Sequence, residues 1–311
     1  MTAPPEDVSG SVPLTWETAR PLLPELALIS ATFAYGATFK LVQDALRDVT
    51  PVGFILLRFT MGAIVLVPIA LRNGWRGPST ARASLRLKDF LLAVLAFGVV
   101  GFAGYWFQNA GLQRTTTSNS AFITGLFVVF TPLIETVVTR RRPSRNVIFA
   151  VGCAVVGLFL LEGSKLTLHS GDALTLACAF FFGIWILMGG YFTQRFDPVA
   201  LTAGQITVFA LFALPVVAIS GLGHVTPRVL VAAAITGVLC SALAFTAQLW
   251  GQRFVEPARA AVILEFEPVV AGLIGYWVGE RLGIAGYVGA VIIFVGIVIA
   301  ESRSWRAARP T

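Results

Sequence analysis

Four ionisable side chains lie inside long apolar stretches of this 311-residue sequence: Lys40, Arg58, Glu265 and Glu267. Placing a charge at the centre of a membrane-spanning helix costs about 3 kcal/mol, so such groups are rare and often functional. A carboxylate there can exchange a proton or bind a substrate amine, and a cation can bind a substrate carboxylate. The alternative is that these groups pair with one another or with the backbone and hold helices in register. These residues are therefore candidate charge or coupling sites.

Their positions separate the four candidates. Glu267 lies ten residues into its apolar stretch, which is about 15 Å along a helix and close to the middle of a bilayer. Glu265 precedes it by two residues and so occupies another helix face, and we expect at most one of them to face a central pathway. Lys40 lies near the end of its stretch, where its amine can reach the interface. Arg58 is about 10 Å from the start of its stretch.

Motifs for catalysis are missing from the sequence. It contains no HExxH, GxSxG or Walker-type pattern, and its two histidines, His169 and His224, stand apart from other candidate ligands. Cys153, Cys178 and Cys240 occur singly in apolar segments, which is typical of small buried residues. We therefore predict a protein that is not an enzyme and that uses neither a metal nor a cofactor.

The composition of the chain indicates whether it folds in water or in a lipid bilayer. Hydrophobic residues make up 56% of it, charged residues 13%, and its mean hydropathy is +0.80. A soluble domain needs more polar surface than this, so we predict an all-α integral membrane protein. Ten apolar stretches are long enough to cross a bilayer as helices. They cover residues 22–43, 51–71, 90–112, 118–139, 146–162, 172–193, 198–220, 229–251, 257–278 and 283–301.

Basic residues predict the orientation of these spans. Most of the 23 lysines and arginines fall on one side of the membrane if the N-terminus is cytosolic. Both termini are then cytosolic, with residues 1–21 forming an N-terminal tail and residues 302–311 a basic C-terminal tail. The net charge of +7 is explained by this topology signal, so we expect no nucleic-acid partner.

An internal repeat relates the two halves of the chain. At a constant offset of 147 residues, Pro51, Arg58 and Pro68 correspond to Pro198, Gln205 and Pro215. We assign residues 22–162 to a first five-helix repeat and residues 163–301 to a second. Because five is odd, the second repeat enters the membrane in the opposite sense, which makes an inverted repeat around a central cavity. The hydrogen-bonding group conserved between Arg58 and Gln205 favours a structural role for Arg58.

Further side chains could line that cavity. Three aromatic residues lie near mid-span, Tyr35, Trp106 and Trp185, and would form a stacking wall if they face inward and not towards lipid. Polar groups that could orient a substrate are Thr38, Gln108 and Gln248. Pro132 and Pro268 occupy matching places in spans 4 and 9, where they predict bends that line or gate the cavity, or passive kinks.

Several segments resemble the EamA unit of the drug/metabolite transporter superfamily. They are FAYGATFK, Pro51 seven residues before Arg58, Gly171-Asp172, ARAAVILEFEPVVAGLIGYWVGE and GAVIIFVG. The resemblance covers roughly residues 22 to 301 and implies a ten-helix carrier with two EamA repeats. Within the superfamily the chain looks most like bacterial amino-acid exporters, including the aromatic type. Tyr35-Gly36 replaces the Trp-Gly frequent in the family, and this changes the expected pocket wall.

These observations lead to one functional expectation and its rivals. We expect a multi-pass protein of the bacterial inner membrane that exports small amphipathic metabolites by alternating access, with amino acids, aromatic ones included, as the best-fitting cargo. Its partners are then a small-molecule substrate and the lipid bilayer; we expect a monomer, with a dimer as an open alternative. The rivals are a sugar-phosphate or nucleotide carrier of the same superfamily, and a non-transport membrane scaffold.

Overall fold

The computed structural model describes residues 22–73, 87–115, 120, 123–140, 142–161, 170–267, 269–270 and 283–307. These residues are helical except for short connections and one isolated bridge between Val49 and Gly223. We number the helices in chain order. They are α1 (Leu23–Ala45), α2 (Pro51–Asn73), α3 (Leu87–Leu112), α4 (Phe127–Thr139), α5 (Arg145–Leu161), α6 (Asp172–Phe192), α7 (Pro198–Ser220), α8 (Pro227–Gln252), α9 (Pro257–Leu264) and α10 (Ile284–Ala307).

Six of these helices, α1, α2, α3, α6, α7 and α8, are each long and apolar enough to cross a membrane. Shorter apolar helical stretches occur at Ile123–Thr139, Arg145–Leu160 and Ile284–Ile299. Many large apolar side chains on them point away from the protein, such as Ile64, Val137 and Ile219. Such a surface suits lipid, and the all-helical membrane fold is therefore confirmed. The count of ten spans and the cytosolic side remain predictions.

Local sequence signals set several helix ends. Asp197 precedes Pro198 and its side chain accepts a hydrogen bond from the Ala200 amide at 3.0 Å, which caps α7. Thr226 precedes Pro227 and caps α8 in the same way. The predicted and observed starts of α7 coincide, whereas α10 continues past the predicted end at 301 as far as Ala307. The first part of the predicted C-terminal tail is thus helical.

Close packing between the repeats depends on glycine. Helix α2 packs along its repeat counterpart α7 and also crosses α8. At that crossing, a Cβ on Gly62 would lie 2.7 Å from the Gly237 carbonyl oxygen, and a Cβ on Gly237 would lie 2.5 Å from the Arg58 carbonyl oxygen. Neither distance leaves room for a side chain, so the two backbones are in direct contact there.

Hydrogen bonds between helix ends show which ends lie together at each of two faces of the molecule. On one face, the Thr50 amide before α2 donates to the Leu222 carbonyl after α7 at 3.1 Å. On the other, the Gln194 side chain after α6 donates to the Arg253 carbonyl after α8 at 2.6 Å. An alternating topology with inverted repeats requires these same pairs of ends to share a face.

Two predicted spans are interrupted. Span 4 is broken by a turn at Leu126, and α4 begins after it. The predicted bend residue Pro132 lies buried inside α4, six residues further on. Helix α9 ends at Leu264 and is followed by a turn at Glu265 and Phe266. Pro268, the second predicted bend residue, lies outside the described residues. The interruptions therefore precede the prolines.

Candidate functional site

A cluster of aromatic rings lies where the two repeats meet. The Phe59 ring of α2 contacts the rings of Tyr105 on α3, Phe209 on α7 and Phe245 on α8, with centroid separations of 5.3, 4.6 and 6.1 Å. Tyr105 in turn meets Phe182 of α6 edge-on at 5.0 Å. Each repeat thus contributes rings to one apolar centre, whose edge-to-face contacts are the favoured geometry for aromatic pairs.

Trp185 of α6 belongs to this aromatic centre. Its indole stacks on Phe97 of α3 at 5.6 Å and meets Phe245 edge-on at 5.3 Å. The indole N–H donates a 2.8 Å hydrogen bond to Oε1 of Gln205 on α7. Gly101 makes room for this contact, because a Cβ there would lie 2.9 Å from the indole nitrogen.

Arg58 lies in the wall of the same cluster and is only 8% exposed. Its Nε donates to the Ser241 hydroxyl of α8 at 2.9 Å. Its guanidinium carbon lies 5.3 Å from the Phe59 ring centroid and 5.4 Å from that of Tyr105. Such cation–π contacts stabilise a buried cation in part. Within the described residues, no carboxylate forms an ion pair with Arg58.

Helices α1 and α8 meet through two polar pairs among the predicted residues. The Tyr35 hydroxyl donates to Oε1 of Gln248 at 2.8 Å, and the Tyr35 ring contacts Phe245 at 5.9 Å. One turn further on, the Thr38 hydroxyl lies 3.0 Å from the Cys240 sulfur. Tyr35, Thr38 and Gln248 therefore lie together beside the aromatic centre.

An irregular part of α8 carries two of these contacts. Residues Thr236–Ala244 form a π-helical segment, a geometry often found at functional sites. In this segment the Ser241 hydroxyl donates to the Thr236 carbonyl, five residues back, at 3.3 Å. Cys240 and Ser241 both face the centre from this wider turn, one towards Thr38 and one towards Arg58.

The two neighbouring glutamates differ in burial. Glu267 is half-buried directly after the turn that follows α9 and lies near enough to Arg58 for an electrostatic interaction. Glu265 is fully buried, and its carboxyl group touches the backbone position of Gly125, just before the break in span 4. The expectation that at most one of the pair faces a central pathway stays a prediction.

The remaining predicted residues lie at the margins. Lys40 is exposed near the end of α1 and pairs with Asp44 at 2.9 Å. Trp106 is 37% exposed and contacts Phe107 of its own helix, which favours the lipid-facing alternative. Gln108 on α3 is half-buried.

Sequence reasoning overlooked several members of the centre. They are Phe59, Phe209, Phe245, Cys240 and Ser241. The repeat held a signal for some of them, since at the offset of 140 residues that relates Gln108 to Gln248, Tyr105 corresponds to Phe245 and Gly101 to Ser241.

A polytopic helical protein with a polar and aromatic centre between two halves has the organisation of a membrane transporter. The chain belongs to the EamA-like transporter family, whose sequence model matches residues 22–162 and again residues 169–301. Two matches in one chain are what a duplicated unit requires. The protein is accordingly a membrane transporter and not an enzyme.

Relatives along nearly the full length agree with this family. An uncharacterized transporter of Archaeoglobus fulgidus is 30% identical over 289 residues, covering 92% of this chain and 88% of the relative. The uncharacterized transporter YyaM of Bacillus subtilis is 22% identical, covering 89% and 92%. A protein of known crystal structure superposes with a TM-score of 0.75 at 18% identity, covering 92% of this chain and 99% of that one. That last likeness concerns the fold alone.

Proposed function

We propose that the protein carries small zwitterionic amphipathic metabolites, with amino acids, aromatic ones included, as its cargo. One observation supports this most directly: the buried Arg58 guanidinium lies against the rings of Phe59 and Tyr105, and among the described residues it is bonded through its Nε alone. A substrate carboxylate would bind the Arg58 guanidinium, and the substrate amine would bind Glu267. The apolar side chain would lie against the rings of Phe59, Tyr105 and Phe245.

The energetics of Arg58 support a carboxylate ligand. Its Nε–H is bonded to Ser241, while its terminal nitrogens have no hydrogen-bond partner among the described residues. A buried cation inside a membrane protein is stabilised when it gains an anion that accepts those remaining N–H groups. The sequence alone favoured a structural role for Arg58. Its geometry supports a ligand-binding role, because the single bond from Nε to Ser241 leaves the terminal N–H groups of the guanidinium available to a ligand.

Transport would follow alternating access around this centre, in the bacterial inner membrane and in the direction of export. The paired helix ends at the two faces would open in turn, while the site stays near the midplane. Breaks before α4 and after α9 provide positions where backbone angles can change. No cofactor takes part in this scheme, so a solute or ion gradient drives it or the carrier is facilitative.

Sugar phosphates fit this centre less well. A dianion needs several cationic groups, and among the described residues around the cluster Arg58 is the cation in contact with it. Lys40, the other intramembrane cation, is paired with Asp44 near the end of α1.

Reconstituted protein tests the proposal. Proteoliposomes should take up labelled phenylalanine in a saturable manner, and unlabelled phenylalanine should compete better than a hexose phosphate. Arg58→Gln should raise the KM for phenylalanine about tenfold or more, since a hydrogen bond to a charged group contributes about 1.5–3 kcal/mol. Lys40→Gln, which removes an exposed cation from α1, is the matched control and should leave KM unchanged.

Two results would contradict the proposal. Absence of saturable movement of phenylalanine or any other zwitterion by the parent would overturn the substrate class. Equal KM values for Arg58→Gln and the parent would remove Arg58 from the site and leave the transporter family untouched.

A further inference from the structure

One buried amide is held by its neighbour in a single orientation. The Gln205 side chain on α7 is fully buried, and its Oε1 accepts the 2.8 Å hydrogen bond from Trp185. An indole N–H is only a donor, so it must face the amide oxygen and cannot face the NH2 group. Trp185 is itself held by stacking on Phe97. The direction of the Gln205 NH2 group is therefore fixed by packing.

That NH2 group has no hydrogen-bond partner among the described residues. Leaving a buried donor without an acceptor costs about 1–3 kcal/mol, and buried donors in proteins are nearly always satisfied. Phe209, one turn further along the same helix, contacts Phe59 of the aromatic cluster. The donor therefore calls for an acceptor that the described residues do not supply.

The residue that corresponds to Gln205 in the other repeat indicates which chemical group this acceptor is. Gln205 is the counterpart of Arg58, and each is tethered to the cluster wall by one hydrogen bond, Arg58 to Ser241 and Gln205 to Trp185. Each keeps N–H groups for a ligand. Because the repeats are inverted, each residue lies about 10 Å from a different membrane face, which leaves about 10 Å between them along a 30 Å hydrocarbon core.

We propose that Gln205 is a second station for the substrate carboxylate, used when the site opens towards the face nearer to the start of α7. This inference rests on the proposed function. Because the start of α7 lies at the predicted cytosolic face, an exported substrate would meet the neutral donor Gln205 first and then pass to the charged donor Arg58. A neutral amide binds an anion more weakly than a guanidinium does, so Gln205 would hand the substrate on instead of trapping it.

The test compares phenylalanine with phenethylamine, which lacks the carboxylate, as competitors in proteoliposomes carrying labelled phenylalanine. Gln205→Leu should raise the KM for phenylalanine about tenfold, as expected for one lost bond to a carboxylate. It should leave the inhibition constant of phenethylamine within twofold. Gln205→Glu keeps an acceptor for Trp185 but repels a carboxylate, so it should impair phenylalanine transport more than Gln205→Leu does.

Gln252→Leu is the matched control. Gln252 is also fully buried, and its amide donates to the Ile186 carbonyl at 3.4 Å, one turn beyond Gln248 at the end of α8. It should leave both constants unchanged, and thermal melts in detergent would verify the folding of all variants. If Gln205→Leu and Gln205→Glu lower the melting temperature but keep the parent KM, a water satisfies the amide and the station is overturned. If the parent moves no zwitterion, the proposed function fails and the station with it.

Discussion

Single residues explain why the centre of this transporter is asymmetric despite its repeat. The pair of Arg58 and Ser241, which joins the two repeats, corresponds to the pair of Gln205 and Gly101. Thr38 and its counterpart Trp185 in the other repeat differ in size. Beside the short Thr38, the Ser241 hydroxyl bonds Arg58, whereas beside the long Trp185 a glycine, Gly101, makes room for the indole. The repeat thus conserves the place of a polar contact and changes its chemistry.

The two glutamates give a test at this scale. Glu267 lies near enough to Arg58 for an electrostatic interaction, whereas the neighbouring carboxyl of Glu265 lies against the backbone at Gly125. If a proton gradient drives transport through the centre, Glu267→Gln should abolish the response of phenylalanine uptake to an imposed pH difference, because the amide cannot exchange a proton.

Glu265→Gln serves as the control, since it changes a buried carboxyl in the same turn without altering the centre. It should keep the gradient response. A response that survives in Glu267→Gln, or that disappears in Glu265→Gln alone, would exclude Glu267 as the coupling group. Uptake measured while valinomycin holds the membrane potential constant would separate the effect of the pH difference from the effect of the potential.

At the scale of helices, the close crossing of α2 and α8 positions Arg58 against Ser241. Gly62 and Gly237 bring the two backbones into contact one turn away from the arginine. The π-helical segment Thr236–Ala244 begins at the same crossing and turns Cys240 and Ser241 towards the centre. Packing and site geometry are therefore coupled through one stretch of α8.

Gly237→Ala tests this coupling. The added Cβ would lie 2.5 Å from the Arg58 carbonyl oxygen, so the helices must separate, at a cost of about 1–3 kcal/mol for overpacking. We expect a lower melting temperature in detergent together with a raised KM for phenylalanine. Gly152→Ala on α5 is the control, because a Cβ there meets nothing within 4 Å. Unchanged melting of Gly237→Ala would show that the crossing is looser than described.

At the scale of the whole molecule, contacts between helix ends define two faces. The Thr50–Leu222 contact lies at one face and the Gln194–Arg253 contact at the other. With the predicted cytosolic termini, the first face is outside the cell. Hydrogen bonds thus join helix ends at each of the two faces.

Cysteine labelling tests this arrangement. In a background with the three native cysteines replaced, Arg47→Cys and His224→Cys, both exposed at the first face, should react with a membrane-impermeant maleimide in intact cells. Arg140→Cys and Glu256→Cys, exposed at the second face, should react only after lysis. The opposite pattern would invert the topology, and a mixed pattern would contradict the alternation of spans.

The membrane environment, the helical class and the family could be predicted from the sequence, because apolar length and repeated motifs are local properties that need no contacts. The sequence also identified Tyr35, Thr38, Trp185, Gln248 and Glu267 as residues of interest. Contacts between helices were needed to show that Lys40 is paired with Asp44 and that Phe59, Phe245 and Ser241 belong to the aromatic centre. The reason is physical. Which face of an apolar helix meets protein and which meets lipid depends on neighbours distant in sequence, and both faces are equally apolar.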